Sequence, residues 1–254
     1  MRPGADDAPR CERCLRRGGF SLLELLIVLG VATVLIGLLM PSFSVLRESA
    51  RRAACASNMR QIAIAMESFS REHYDRLPNS YYAGSRNRQP MPQEMMILNR
   101  GERGDTWDGV GRLYAKNYIN APGAYYCPSH RGDHKIDRYQ NRWTRGSNEL
   151  IYGNYQYRGT LNLASQSPDP IDKYDRDQIR NTHPAGVALL ADGLRTKTDF
   201  NHIRGSNLLE NDLSVRWYSD TGGRIYSILP DTVWEPWPRN QLWYRLDQGS
   251  FGGQ

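Results

Sequence analysis

The chain changes from polar to apolar at one point near its start and then stays apolar for the length of a membrane span. A basic leader ends at Gly19, and a nearly unbroken apolar run follows from Phe20 to Met40. As a helix rising about 1.5 Å per residue, this run crosses a hydrocarbon core roughly 30 Å thick. Glu24 lies inside it. Because an acid at mid-membrane costs about 2.5–3.5 kcal/mol on insertion scales, we expect Glu24 to have a specific role.

Beyond the span, apolar residues recur at helical spacing. Successive members are four, three, four and three residues apart: Cys55, Met59, Ile62, Met66 and Phe69. This stripe predicts that the helix continues to about residue 74, with one face packed on a globular domain or, alternatively, on a partner helix. The helix should stop near Pro78, because the residue before a proline disfavours helix.

The rest of the chain alternates short apolar segments with turn residues, which predicts strands. The candidate strands are 125–129, entering a turn, then 150–157, 187–191, 208–209 and 213–218. Asn211-Asp212 predicts a hairpin turn between the last two, and 107–118 is a short helical candidate. The tryptophan-rich end of the chain should pack on the sheet. The predicted fold class is therefore α+β: a long N-terminal helix packed on a C-terminal antiparallel sheet domain.

Composition limits the partners only weakly. The chain has 254 residues and a net charge of +6. This mildly basic balance permits contact with anionic lipid, polysaccharide or DNA but requires none of them. The arginines within 80–124 are expected to form a solvated loop surface, so we expect no nucleic-acid partner.

Four cysteines fall into two pairs. Cys11 and Cys14 form a single CxxC in the leader, which is half of a zinc site without a second half nearby. Cys55 and Cys127 lie in the rest of the chain. If that part is outside the inner membrane, an oxidising compartment allows a disulfide between them, typically contributing about 2–4 kcal/mol. Two separate buried thiols are the alternative.

The N-terminal residues together resemble a type IV prepilin N-terminus, the signal shared by pilins and type II secretion pseudopilins. The resemblance implies that a prepilin peptidase cuts after Gly19 and methylates Phe20, the new terminus. Glu24 becomes the fifth mature residue and would pair with the terminal amine of a neighbouring subunit. Pro41 lies where many members carry a helix-bending proline.

Five further segments are similar to the pseudopilin-G-like proteins abundant in planctomycetes and related bacteria. They are Ala53–Ile62, Arg76-Leu77-Pro78, Cys127-Pro128-Ser129, Ala191-Asp192-Gly193 and 201–217. The last resembles the family's H-X9-DG segment, with His202, nine residues and Asp212. The family glycine is Leu213 here, so we expect the turn to have a different geometry from a glycine-containing type I′ turn. His202 is expected to hydrogen-bond the backbone of the adjacent turn.

The resemblance implies a domain order and a function. Residues 1–19 are the leader, 20–40 the transmembrane helix, 41–74 its amphipathic continuation and 75–254 a periplasmic pilin-like domain. The chain would be a non-enzymatic structural subunit of a type II secretion or related filament. It would sit in the inner membrane with a cytoplasmic N-terminus before it joins the filament. Its partners would be prepilin peptidase, other pseudopilin subunits and the inner-membrane assembly platform.

Two other functions stay open. One is a DNA-uptake or adhesive minor pilin, and the other is a membrane-anchored enzyme that reuses the export signal. The titratable candidates for an enzyme match no catalytic or metal motif: His183, Asp192, Asp199, His202 and Asp212. We therefore expect no catalytic residues, metal ligands or cofactor.

Calcium is the one ion kept open. It would bind the closely spaced carboxylates Asp169, Asp172, Asp175 and Asp177, although the EF-hand glycine and final glutamate are absent.

Overall fold

The computed structural model describes residues 21–74, 76–82, 91–102, 104, 106–159, 186–202, 204–235 and 237–251. The chain divides into two compact units, 1–46 and 47–254. Helix α1, Leu22–Glu72, supplies most of the described part of the first unit and the beginning of the second.

The described part of the first unit is an exposed apolar helix. Its segment Leu22–Met40 has a mean hydropathy of 2.7 and buries none of its residues. By length and composition it is able to cross a membrane. Its start carries a capping box: the Ser21 hydroxyl accepts a hydrogen bond from the Leu23 N–H at 3.2 Å, and the Glu24 carboxylate accepts one from the Ser21 N–H at 2.9 Å.

The later part of α1 buries the apolar stripe that its sequence predicts. Every member of the stripe is buried: Cys55, Met59, Ile62, Met66 and Phe69. The helix ends at Glu72, slightly earlier than expected, and Tyr74 just beyond it has a φ of 56°. This left-handed residue turns the chain away from the helix axis before Pro78 is reached.

Among the described residues, six strands form two antiparallel sheets. A two-stranded sheet pairs β1 (Ile97–Arg100) with β2 (Leu150–Tyr152). The second sheet has the order β3-β4-β5-β6, formed by Tyr155–Tyr157, Ala188–Asp192, Gly205–Glu210 and Val215–Ser219. The α+β class is thus confirmed, as are the candidate strand 187–191 and the hairpin β5–β6. The strand 187–191 is the internal, fully buried β4.

Both faces of the four-stranded sheet are covered. The paired residues Leu190 and Leu209 belong to one hydrophobic cluster with the buried stripe of α1. Their neighbours Ala191 and Leu208, also paired, belong to a second cluster with Trp243 of helix α3 (Arg239–Phe251). Because consecutive strand residues point to opposite faces, α1 packs on one face and α3 on the other.

Two sequence expectations are wrong in detail. The segment 150–157 is two strands in different sheets, because the N–H groups of Gly153 and Asn154 bond the carbonyls of Met96 and Tyr125 and interrupt the ladder. The segment 125–129 is no strand; a 3-10 helix, Pro122–Tyr125, precedes the turn there. Proline at its first position favours that helical start.

Apart from α3, the remaining helices in the described part of the chain are short. Helix α2 is Gly111–Ala115, inside the predicted helical region. Four further 3-10 turns are Glu94–Met96, Ile136–Arg138, Gln140–Arg142 and Tyr226–Ile228. Trp237 and Trp243 are buried, as expected for a C-terminal segment packed on the sheet, whereas Trp234 is exposed.

Candidate functional site

Four side chains that could bind a metal converge between α1 and the four-stranded sheet. They are Cys55, Cys127, Asp192 and His202, and their donor atoms all lie within 4.8 Å of one another. All four residues are buried. Such a set is uncommon in a protein core, where polar groups are normally paired one to one.

Each of the four comes from a different segment. Cys55 belongs to the buried stripe of α1, and Cys127 follows the 3-10 helix Pro122–Tyr125. Asp192 is the last residue of β4, and His202 lies just before β5. The site therefore forms only where the helix, the sheet and two loops meet.

Asp192 is held by hydrogen bonds on both carboxylate oxygens. Its Oδ1 accepts bonds from the Ser206 hydroxyl at 2.7 Å and the Asn207 N–H at 2.9 Å. Its Oδ2 faces the cluster and accepts bonds from the Cys55 thiol at 2.8 Å and the Asn207 side chain at 3.0 Å. The carboxylate is fully buried, and β5 fixes its orientation.

His202 uses its two ring nitrogens differently. Nε2 lies 3.2 Å from Oδ2 of Asp192 and 3.5 Å from Sγ of Cys127, while Nδ1 lies 2.6 Å from Oε1 of Glu48. The expectation that the ring bonds an adjacent turn is therefore wrong. In the local turn it is the backbone carbonyl of His202, and not its ring, that accepts a hydrogen bond from the Gly205 N–H at 2.8 Å.

The cluster shifts the ionisation of its members. Burial disfavours the charged form of His202, but the bonds and attraction of Asp192, with Cys55 and Glu48, overcome it and raise the pKa of His202 to about 11. Burial likewise opposes ionisation of Asp192, yet the bonds from His202, Cys55 and Ser206 leave its pKa lowered. Burial raises the pKa of the Cys55 thiol. A cationic His202 thus faces an anionic Asp192, and Cys55 keeps its proton.

The expected disulfide between Cys55 and Cys127 is not formed. Both cysteines are buried free thiols in the structure. Each sulfur has another polar neighbour, because the Cys55 thiol donates to Asp192 and the Cys127 sulfur faces Nε2 of His202. The sequence had correctly singled out these two cysteines, but the structure places them in a larger polar cluster.

The other titratable candidates do not join this cluster. Asp199 forms a buried ion pair with Arg195, with Nε and Oδ2 2.6 Å apart. Asp212 is exposed and accepts a bond from the Ser214 N–H at 2.9 Å. His183 lies outside the described residues, as do the four aspartates considered for calcium. Of the five enzyme candidates, only Asp192 and His202 meet in the described part of the chain.

The turn of the H-X9-DG segment has a different geometry from type I′, as its missing glycine predicted. The Leu213 N–H bonds the Glu210 carbonyl, and the Glu210 N–H bonds the Ser214 carbonyl. Leu213 has a φ of 66°. The pattern is a three-residue hairpin loop with a left-handed residue at its end, a position that favours glycine. Leucine adopts this conformation at a cost of roughly 1–2 kcal/mol.

Sequence reasoning missed Glu48 and the pairing of Asp192 with the cysteines. Glu48 lies two helical turns before Cys55, so the two share a face of α1. A carboxylate on that face, ahead of a buried cysteine, was an available signal. Asp192 ends an all-apolar buried strand, where an acidic residue is unusual.

The structure describes only some of the residues that resemble the prepilin N-terminus. Glu24 bonds the start of its own helix. Pro41 lies within α1, and its side chain is outside the described parts. Gly19 and Phe20 lie outside the described residues, so cleavage between them stays a prediction.

Comparison with known proteins gives one match. The model of the family SBP_bac_10, described as "Protein of unknown function (DUF1559)", matches residues 45–203. No curated protein and no solved structure matches the chain. The matched range contains Cys55, Cys127, Asp192 and His202. The family comprises planctomycete-type pilin-like proteins with the H-X9-DG segment, so the predicted resemblance is confirmed at this level. The chain belongs to the DUF1559 family.

Proposed function

We propose that this chain is a membrane-anchored, pilin-like structural subunit that assembles through α1. The observation that carries the proposal is the contrast along this helix: Leu22–Met40 exposes an apolar surface, whereas Cys55 to Phe69 buries a stripe against the sheet. An apolar surface of this length needs lipid or neighbouring helices. A filament subunit meets lipid first and neighbouring helices after assembly.

The proposed life cycle follows from the prepilin resemblance. The chain enters the inner membrane with its N-terminus in the cytoplasm and its sheet domain in the periplasm. Prepilin peptidase removes residues 1–19, and the assembly platform adds the subunit to a type II secretion pseudopilus or related filament of pseudopilin subunits. Once Glu24 leaves the headgroup region it needs a counter-charge, which the freed amine of Phe20 on a neighbour supplies. An unpaired buried charge is strongly penalised, so the pair fixes the register.

Cleavage is predicted between Gly19 and Phe20. In a host with prepilin peptidase, mass spectrometry should find a mature terminus at Phe20 that carries a methyl group. Gly19→Val should abolish processing, because a β-branched side chain obstructs an active site shaped for glycine, while Gly18→Ala serves as the matched control and should be cut. A mature protein that begins at Met1 or after Met40 contradicts the proposal.

Glu24→Ala is predicted to insert into the membrane but to lower filament yield by more than about tenfold. Insertion persists because the segment becomes more apolar, and assembly fails because the Phe20 amine loses its partner, a type of loss that costs about 3–5 kcal/mol when buried. Sheared filaments and membrane fractions, quantified by immunoblot, measure the two steps.

Ser21→Ala is the control for that experiment. It removes the hydroxyl that caps the Leu23 N–H but leaves the Glu24 charge in place. Loss of such a cap costs about 1 kcal/mol. If Ser21→Ala impairs assembly as much as Glu24→Ala, capping explains the effect and the register role is wrong. If Glu24→Ala and the parent protein give equal filament yields, the register role of Glu24 is also wrong.

A further inference from the structure

We propose that Cys55, Cys127, Asp192 and His202 bind one structural Zn²⁺ ion and that Glu48 orients His202 for this task. Two sulfurs, one imidazole nitrogen and one carboxylate oxygen form a donor set that suits zinc. The proposal does not depend on filament assembly, since it concerns the sheet domain and the part of α1 packed on it.

Two of the distances between donor atoms are close to those of a tetrahedral site, and a third is shorter. With zinc bonds of about 2.3 Å to sulfur and 2.0–2.1 Å to nitrogen or oxygen, neighbouring donor atoms lie about 3.3–3.8 Å apart. Nε2 of His202 is 3.5 Å from Sγ of Cys127 and 3.2 Å from Oδ2 of Asp192. Sγ of Cys55 is 2.8 Å from the same Oδ2, because the thiol donates a hydrogen bond to it. When zinc replaces that proton, this pair needs to separate by roughly 0.7 Å.

The groups around the donors have the arrangement expected of a metal site. Metal-bound histidines usually donate their second ring N–H to a carboxylate, and Nδ1 of His202 lies 2.6 Å from Glu48. The ligating carboxylate is fixed in turn by Ser206 and the Asn207 N–H, which bond its other oxygen. The loop with Cys127 is anchored by a bond from its N–H to Asn154 at 3.1 Å.

The local charge is also compatible with zinc. Zinc would displace the thiol protons of Cys55 and Cys127 and the Nε2 proton of the cationic His202. Two thiolates, a neutral imidazole and a carboxylate around Zn²⁺ then leave one negative charge. The Arg52 guanidinium lies 3.6 Å from the ring centroid of Trp217, and its positive charge acts on Asp192.

The ion would have a structural role. Its four protein ligands are all buried, and structural zinc sites are closed in this way. Because the ligands come from α1, the loop at Cys127, the end of β4 and the loop before β5, zinc would cross-link the helix to the sheet. Zinc and a Cys55–Cys127 disulfide exclude each other, since both require the same sulfurs.

Zinc content of the full chain is the first test. The protein is purified in mild detergent with reductant as a Cys11→Ser/Cys14→Ser variant, so that the leader CxxC does not contribute metal. After loading with Zn²⁺ and desalting, elemental analysis should find one zinc per chain. Cys127→Ser should weaken zinc binding by more than about 100-fold and Glu48→Gln by about 10- to 100-fold. Asp212→Asn replaces an exposed carboxylate of the H-X9-DG segment, and this variant should bind zinc as tightly as the Cys11→Ser/Cys14→Ser protein does.

Cobalt keeps the test decisive if a ligand variant fails to fold. The background chain loaded with Co²⁺ should show sulfur-to-cobalt charge-transfer bands and the intense visible bands of a tetrahedral site, and Zn²⁺ should displace them. Three results would overturn the proposal: substoichiometric zinc, a cobalt spectrum without thiolate bands, or a Cys55–Cys127 disulfide in protein trapped with an alkylating reagent in its native host.

Discussion

Asp192→Ala is expected to lower the free energy of unfolding of the metal-free protein by about 3–5 kcal/mol. The substitution leaves the buried, positively charged His202 without its carboxylate partner at 3.2 Å. It also removes the acceptor of the Ser206 hydroxyl and the Asn207 N–H, and an unsatisfied buried donor costs about 1–3 kcal/mol. Urea unfolding in mild detergent with a chelator and reductant measures the loss. Tryptophan fluorescence is a suitable signal because all six tryptophans lie in the second unit.

Two further variants complete this test: one separates the charge of Asp192 from its hydrogen bonds, and the other is an exposed control. Asp192→Asn keeps a carbonyl oxygen for Ser206 and Asn207 but loses the charge opposite His202, so its effect should be intermediate. Asp212→Ala removes an exposed carboxylate that bonds only the Ser214 N–H among the bonds described, and we expect a loss of about 1 kcal/mol or less. If Asp192→Ala costs no more than Asp212→Ala, the buried cluster does not stabilise the domain.

Gly205→Ala is expected to destabilise the protein by about 3 kcal/mol or more, at the upper end of overpacking effects. An added Cβ would overlap the carbonyl oxygen of Tyr218 and would lie 2.6 Å from the ring of Trp217. The first contact is with the backbone of β6, which cannot move without breaking the β5–β6 ladder. Gly205 also donates its N–H to the His202 carbonyl, so a displaced strand would shift His202 as well. The same urea unfolding measures this effect.

Gly222→Ala is the matched control for that variant. A Cβ there has its nearest contact at 4.0 Å, to the side chain of Arg224. Such a replacement commonly stabilises a protein by about 0.4–1 kcal/mol, because it reduces the freedom of the unfolded chain. A Gly205→Ala protein as stable as Gly222→Ala would show that the hairpin accommodates a side chain at the site, contrary to the close packing described.

Much of the fold was predictable because its signals are local. The stripe from Cys55 to Phe69 is a repeat along one helix, and its burial followed from the spacing alone. The apolar strand β4 and the hairpin β5–β6 were predicted from short runs and a turn. In the segment 150–157, Gly153 and Asn154 separate two short apolar runs. Their N–H groups bond distant carbonyls, which places the two runs in different sheets, and the sequence alone does not predict those bonds.

The candidate site was predictable only in part. The sequence points to the cysteine pair and to His202, but it suggests only a local or pairwise role for each of them. The chemistry of a cysteine depends on which groups surround its sulfur. Asp192, which accepts the hydrogen bond of the Cys55 thiol, lies 137 positions from it in the sequence. Glu48, which contacts the ring of His202, lies 154 positions from that residue. No spacing rule connects segments so far apart in one sequence.

Patterns within short stretches of the chain are enough to predict the apolar span, the amphipathic continuation of α1, the α+β class and the family resemblance. The meeting of Cys55 and Cys127, as thiols, with Asp192 and His202 depends instead on how distant segments pack, and so does the separation of Asp199 and Asp212 from them. Burial in the core forces polar side chains to find partners, and the partners available depend on the order of β3-β4-β5-β6 and on the helix face packed against that sheet.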